Sequence, residues 1–175
     1  MAAITPKKDV QTVTSNWESV ATPIHGFAIK WLPPNEDERG ELCEIYRLDW
    51  GFHSEPVVQV YQVMVRPKKV KGWVAHQKQD DRIFMSQGTL RWALFDNRPD
   101  SPTYKKLHIF VVSERHRATF VIPRGVFHAV QNIGEENAYF INLPTRAYDY
   151  KDPDKLRLPV KNDLIPFAFE DTLGW

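Results

Sequence analysis

The chain of 175 residues carries 23 Lys+Arg against 22 Asp+Glu, for a formal net charge of +1. That length suits a single domain, and the balanced charge removes any bulk electrostatic case for nucleic acid or an anionic membrane as partner. No apolar run nears the ~18 residues of a membrane span, and the lone Cys43 excludes an intramolecular disulfide, so a soluble, cytoplasmic protein is expected.

In chain order, residues 1–22 are polar, hold no signal-like apolar stretch and read as a loose N-terminal arm. Residues 23–175 read as one domain. Leu42–Trp50 is the first candidate strand, after the turn-rich run Pro-Pro-Asn-Glu-Asp-Glu-Arg-Gly. Val57–Arg66, nearly continuous in β-branched and aromatic residues, is the strongest. The charged run Pro67-Lys-Lys-Val-Lys71 reads as a solvated turn. Further strands are expected at Arg82–Ser86, Thr89–Phe95, Leu107–Val112, Ala118–Ile122 and Tyr139–Leu143, with a Gln87-Gly88 turn between the first two. In Thr89–Phe95, Leu90, Trp92 and Leu94 alternate with polar or small residues, the period of a half-buried strand. Strand spacings of roughly 8–15 residues predict an all-β sandwich or barrel with short peripheral helices at most. From Pro144 the chain is irregular yet apolar, and its Ile-Pro-Phe-Ala-Phe169 stretch is expected to pack on the domain.

The segment Ile122-Pro-Arg-Gly-Val-Phe-His128, continuing to Asn132, carries the most information. Pro123 fixes φ, Gly125 permits a tight turn, and His128 opens the next strand with its imidazole aimed into the sandwich. The pattern Pro-x-Gly-x-x-His-x-x-x-Asn resembles the second signature of the cupins at every specified position; the alternative is a core histidine closing a turn. The partner segment runs from Lys71 to Asp81 and on to Gly88. Cupin metal sites use His-x-His, then an acid, then a glycine. Here His76 is the second histidine, Asp81 the acid and Gly88 the glycine, while Val74 stands in the first histidine's place. On a strand Val74 and His76 share a face. His76, Asp81 and His128 are the inventory of a two-histidine, one-carboxylate site for a divalent metal such as Fe, Mn, Ni or Zn. The alternative is a His76 that lines a sugar pocket without metal.

Asp37-Glu-Arg39-Gly40 with Glu44, Phe95-Asp-Asn-Arg-Pro-Asp-Ser-Pro-Thr103, Ile122–His128, Thr145-Arg-Ala-Tyr148 and Asn162-Asp163 form an ordered series. In order and spacing the chain resembles the dTDP-4-dehydrorhamnose 3,5-epimerase family over residues 23–168. The resemblance implies a cupin jelly roll, a homodimer, a site inside the barrel and a nucleotide-linked 4-keto-6-deoxy sugar as ligand, with no cofactor required. In that family a histidine base removes a proton next to the ketone, a lysine helps stabilise the enolate, and a tyrosine returns a proton to the opposite face. The alignment puts the base at Val74, the tyrosine at Asn142 and the lysine near Asp81 or Arg82. Valine cannot accept a proton, and asparagine does not titrate. A divergent branch of the family, reading Lys-Gly-Trp-His-x-His and Asn-Leu-Pro-Thr-x-x-Tyr, is the most similar, apart from Val74.

His76 and His128 are therefore the candidate catalytic residues in place of the missing base. The resemblance assigns Arg39 and Glu44 to the nucleotide, where a planar guanidinium suits a diphosphate, and Gln59 to the pocket. The alternative for Arg39 is a strand-end pair with Asp37 or Glu44. Tyr61, Lys71, Trp73, Asn142 and Tyr148 complete the candidate substrate-binding set; their aromatics, with Trp92, suit stacking on a base or sugar and equally a place in the core. Asp96 and Arg98 read as a structural pair. Three readings stay open: an isomerase that abstracts a proton from a nucleotide-linked keto sugar, a metal-dependent cupin using His76, Asp81 and His128, and a non-catalytic sugar-nucleotide binder.

Overall fold

A computed structural model of the chain describes residues 8–16, 19–21 and 23–169. Among the described residues twelve strands follow in order. They are β1 (Ala28–Trp31), β2 (Asn35–Asp37), β3 (Gly40–Leu42), β4 (Tyr61–Val65), β5 (Val70–Ala75), β6 (Asp81–Gln87), β7 (Thr89–Asp96), β8 (Leu107–Ser113), β9 (Ala118–Ile122), β10 (Val126–Asn132), β11 (Ala138–Asn142) and β12 (Leu156–Arg157). One five-stranded sheet has the order β1-β9-β6-β11-β4, the second has β12-β5-β10-β7-β8, and β2-β3 is a separate hairpin. The two sheets face each other as a jelly roll, the expected all-β fold, and among the described residues no helix is long and apolar enough to cross a membrane.

The core follows from the period of two. Leu90, Trp92 and Leu94 of β7 point inward to meet Ile83, Met85, Phe120 and Phe140 of the opposite sheet. The Trp92 ring meets Phe120 and Phe140 edge-on, with centroids 5.1 Å away in each case, the arrangement that aromatic quadrupoles favour. The alternate residues of the same strand, Ala93 and Phe95, face the other way. There they join Trp73, Ala129 and the tail residues Val160, Ile165 and Phe169 in a second apolar cluster. The central strands β5, β10 and β7 of the second sheet are thus covered on both faces. Of the expected tail, 170–175 lie outside the described residues, as do 1–7, 17, 18 and 22 of the expected arm. In the described part of the arm, the Val20 N–H donates to the Thr12 carbonyl at 3.1 Å.

Two expected strands are corrected. Over 42–50, β3 ends at Leu42 and Leu48–Trp50 forms a 3₁₀ turn, closed by Gly51 at φ 60°, a left-handed conformation that glycine adopts without strain. Leu42 and Leu48 are exposed, so the apolar residues that suggested a strand bury little here. Over 57–66, the strand occupies Tyr61–Val65, and Val58 and Val60 before it are exposed. The run from Pro67 is also divided. The Lys69 N–H donates to the Arg66 carbonyl at 3.1 Å in a turn, and β5 begins at Val70.

Arg82 fixes two loops to the outer face of the first sheet. Its side chain is fully buried and donates to the carbonyls of Glu55, Pro56 and Leu143 at 2.7 Å and of Pro144 at 3.2 Å. Four such charge-assisted bonds offset the desolvation of a guanidinium that has no carboxylate among these partners.

Candidate functional site

The site begins with a bulge. In the pairing of β5 with β10, Lys71 opposes Val130 and Val74 opposes His128, leaving Gly72 and Trp73 across from Ala129. Gly72 has φ 137°, and a Cβ there would lie 2.4 Å from the Ala129 Cβ, so the bulge requires glycine. Past it, Val74 and His76 line one cavity while Trp73 points away into the tail cluster, its Nε1–H donating to the Val160 carbonyl at 3.3 Å. Trp73 is therefore a core residue, which corrects its expected place in the substrate pocket. A second turn brings in His128. Gly125, at φ 79°, donates its N–H to the His76 carbonyl at 2.6 Å and ties the two histidine-bearing segments together.

Both imidazoles meet one carboxylate from the opposite sheet. Asp81, the first residue of β6, places Oδ2 3.4 Å from Nε2 of His76 and 3.4 Å from Nε2 of His128. Its Oδ1 accepts from Gln79 Nε2 at 2.8 Å and Asn142 Nδ2 at 3.1 Å. Behind the rings, Nδ1 of His76 donates to the Asp154 carbonyl and Nδ1 of His128 to the Val126 carbonyl at 3.3 Å. The Asp154 carboxylate holds that support in place by accepting the N–H groups of Gln77 and Lys78 at 2.8 Å and of Gln79 at 3.1 Å.

This arrangement drives the two histidines apart electrically. Burial, the largest influence on each group, opposes charge. At His128 burial prevails over the attraction of Asp81 and pulls the imidazole down to about 4. At His76 the Asp81 contact and the Asp154 carbonyl outweigh burial, because an acceptor at each ring nitrogen favours the doubly protonated form, and the pKa rises. Burial would raise Asp81, but the His76 hydrogen bond, the two imidazoles and Asn142 together hold it at about 2.

Asn142 and Tyr61 continue the chain of contacts. A carboxylate can only accept, so the Asn142 amide turns its Nδ2 to Asp81, and the same nitrogen donates to the Tyr61 hydroxyl oxygen at 2.8 Å. Burial and the charge of Asp81 push the Tyr61 phenol up to about 12 against that bond. An inner cavity of about 390 Å³ between the sheets is lined by Tyr61, Lys71, Val74, His76, Asp81, Trp92, His128, Asn142, Lys155 and Arg157, among others. An outer cavity of about 470 Å³ shares Tyr61, His76 and Lys155 with it and adds Gln59 and Tyr148, whose N–H donates to Gln59 Oε1 at 2.8 Å. Both volumes fall within the ~300–1,000 Å³ usual for small-molecule sites.

Two predicted residues lie elsewhere. Arg39 pairs with Asp37 at 2.5 Å on the exposed β2–β3 hairpin, and Glu44 pairs with Arg47 at 3.0 Å; neither lines the cavities of this chain, since each is held by its own neighbours. Asp96 and Arg98 form the expected structural pair at 2.8 Å, with Ser101 and Thr103 also donating to the carboxylate.

Among the described residues two clusters have metal-like composition: His76, Asp81 and His128, and His53, Glu55 and Asp80. The first fits a divalent cation, because its ligand atoms lie within 4.8 Å of one another and a carbonyl braces each imidazole from behind. The second is occupied by Arg124, which bonds Asp80 at 2.9 and 3.0 Å and Glu55 at 2.7 Å.

Residues 21–164 match the family model for dTDP-4-dehydrorhamnose 3,5-epimerase. The chain belongs to this family. It is 36% identical over 137 residues to the probable low-salt glycan biosynthesis epimerase Agl13 of Haloferax volcanii, covering 78% of this chain and 88% of that relative. It is 31% identical over 144 residues to the spore coat polysaccharide biosynthesis protein SpsL of Bacillus subtilis, covering 82% and 95%. Among solved structures, a dTDP sugar isomerase from Desulfovibrio desulfuricans superposes with a TM-score of 0.78 at 23% identity, covering 88% and 98%. The architecture is accordingly the cupin jelly roll that the resemblance implied.

In this member of the dTDP-4-dehydrorhamnose 3,5-epimerase family, Val74 and Asn142, the positions at which the resemblance puts the base and the tyrosine, both line the inner cavity. The cavity also holds residues that sequence reasoning missed. Lys155 and Arg157 arrive with β12, which pairs with Ala75 and Val74 of β5. Burial, then the nearby cations Arg157 and Lys71, lowers the Lys155 pKa despite Asp81. Asp154 has a readable signal in Pro153-Asp154, a turn pair, but the N–H groups it caps lie 75–77 residues upstream.

Proposed function

We propose that this protein is an isomerase that abstracts a proton next to the ketone of a nucleotide-linked 4-keto-6-deoxy sugar, with His128 as base. The observation that carries this reading is one carboxylate shared by two imidazoles whose pKa values lie on opposite sides of the ordinary histidine value. Environments that split a pair in this way set one group up as base and the other as acid. His128 is neutral near pH 7, and with Nδ1–H given to Val126 its basic site is Nε2, 3.4 Å from the Asp81 carboxylate. Asp81 then stabilises the imidazolium that forms. His76, held toward its charged form between Asp154 and Asp81, stabilises the negative charge that develops on the ketone oxygen. Lys71, Lys155 and Arg157 on the cavity wall suit the diphosphate of the ligand, and Gln59 and Tyr148 in the outer cavity suit its nucleoside. The family membership and the relative named as a glycan biosynthesis epimerase support the substrate class. We place the protein in the cytoplasm as a homodimer, a reading that rests on the family it belongs to.

The test is incubation with a dTDP-4-keto-6-deoxyhexose in heavy water. Deuterium should enter next to the ketone with wild-type protein and not with His128→Asn. Failure of wild type to exchange would sink the proposal for that substrate.

A second reading has its own observation, the braced His76–Asp81–His128 donor set that fits a divalent cation. When bound there, such a cation would supply Lewis-acid polarisation of the ketone or enolate oxygen. Metal analysis of protein purified without an affinity tag decides between them. Stoichiometric metal that is lost in His128→Ala favours the cation; turnover by metal-free protein excludes the need for one.

A further inference from the structure

We infer that Tyr61 is the proton donor of this site, delivering hydrogen to the sugar face turned away from the histidines. The inference rests on the proton-abstraction reading above and names the group that would complete it.

Placement is the first argument. His128 lies on β10 and His76 just past β5, both in the second sheet, whereas Tyr61 lies on β4, the edge strand of the first. The inner cavity runs between the sheets and is lined by all three. A sugar ring in that gap presents one face to the imidazoles and the other to the phenol. Inverting a carbon centre requires this arrangement, with base and acid on opposite sides and each within hydrogen-bond reach.

The second argument is the hydrogen-bond inventory. Tyr61 can donate one hydrogen, and its oxygen already accepts from Asn142 Nδ2 at 2.8 Å. Asn142 cannot use the phenolic hydrogen through that nitrogen, so the O–H is left for an acceptor in the cavity. The same amide is anchored on Asp81, so Tyr61 Oη stands no further from the carboxylate than two hydrogen bonds in sequence. Burial also keeps the phenol protonated up to about 12, so the proton is present at working pH. Asn142, which does not titrate, acts here as a positioning residue.

Access is the third. Tyr61 lines the inner and the outer cavity and is 37% exposed, so it touches both the reacting carbon's surroundings and water. The step balances without a co-reactant. His128 takes the carbon-bound proton, and the C–H electron pair passes into the enolate. The enolate carbon then takes the Tyr61 hydrogen, the O–H pair stays on the phenolate oxygen beside the Asn142 N–H, water from the outer cavity reprotonates the phenolate, and the hydroxide so formed is neutralised by the proton that His128 releases to solvent. His76 and Lys155 are the other proton-bearing groups that line both cavities; His76 stands on the side of the base, and the test separates Tyr61 from Lys155.

Wild type, Tyr61→Phe, Lys155→Met and His128→Asn are incubated with a dTDP-4-keto-6-deoxyhexose in heavy water, with deuterium uptake followed by mass spectrometry and configuration by NMR. Tyr61→Phe keeps the ring, at a position already part-exposed, and melting curves verify its fold. The expected result is deuterium uptake within about threefold of wild type, because His128 can remove a proton and return deuterium on one face, with epimer formation down at least ~100-fold. His128→Asn should lose both. Epimer formation within threefold of wild type in Tyr61→Phe overturns the assignment, as does a Lys155→Met protein that still exchanges deuterium but no longer forms the epimer; loss of a diphosphate contact alone lowers exchange and epimer formation together. No exchange by wild type overturns the reading of the whole site, a result distinct from either.

Discussion

Asp80 and Asp81 stand side by side in the chain, each next to a histidine and each with its carboxyl held at about 2, yet their surroundings differ. Burial works against ionisation at both. At Asp80 it is overcome mainly by Arg124, whose backbone N–H, Nε and Nη2 all donate to the carboxylate, with His53 Nε2 at 3.0 Å completing the set. At Asp81 it is overcome by two imidazoles and an amide inside a cavity. A guanidinium keeps its charge at any working pH, whereas an imidazole gains and loses a proton near neutrality. A depressed carboxyl pKa therefore does not by itself mark chemistry; a carboxylate that faces two imidazoles inside a cavity does, whereas Asp80 is held mainly by a guanidinium and lines neither cavity.

The sharpest way to break this comparison is by activity. Asp81→Asn should lower the proposed epimerisation by about 10²–10⁴-fold, the usual range for disabling acid–base machinery, while Asp80→Asn should leave kcat within about threefold. Steady-state kinetics showing equal losses would erase the distinction. The ranking should reverse in stability. Asp80→Ala strips Arg124 and His53 of a shared acceptor and should cost about 2 kcal/mol by urea unfolding, more than Asp81→Asn, which keeps an oxygen for Gln79 and Asn142.

The pH dependence of stability sharpens the contrast further. A histidine pulled from 6.5 to about 4 binds its proton more weakly folded than unfolded. The His128 contribution is therefore complete above pH 6.5 and is lost as pH falls toward 4, about 2 kcal/mol by pH 4.5. The two depressed carboxylates contribute fully above about pH 4 and are lost as pH falls through about 2. Urea midpoints of wild type at pH 7, 5.5 and 4.5 should decline, and those of His128→Gln should decline much less over the same interval. The smallest effect is expected at Arg124→Lys. Losing the planar fork should cost about 1 kcal/mol, with the pH profile of kcat unchanged, because that carboxylate network takes no part in proton transfer.

The sequence was most legible where one face of a strand packs on the core. Ala118–Ile122 coincides with β9, and Thr89–Phe95 falls one residue short of β7, because Leu90, Trp92 and Leu94 all point to the same interior. The pairing of His76, Asp81 and His128 was legible too, from motif spacing. What misled were apolar residues with no partner surface. Val58 and Val60 look like strand interior by composition but sit exposed ahead of β4. Trp73 looked like a pocket aromatic because no pattern in Lys71-Gly72-Trp73 announces the bulge that rotates it into the tail cluster. Lys155 and Arg157 had no local signal, since a two-residue strand is too short for a period and its partner β5 lies some eighty residues earlier.

Arg82 extends the run of charged neighbours by one more residue, and its four carbonyl bonds take on a further meaning beside the titrating pair next door. The loops it grips lead directly to Gln59 and Tyr61 on one side and to Thr145 and Tyr148 on the other, the walls of the outer cavity. The four acceptors in that grip are backbone carbonyls, which do not titrate. The entrance is thus a rigid frame around a responsive centre: acidity can switch the chemistry off without altering the shape that admits the ligand, so a substrate analogue should still be able to dock in an enzyme whose base has been silenced.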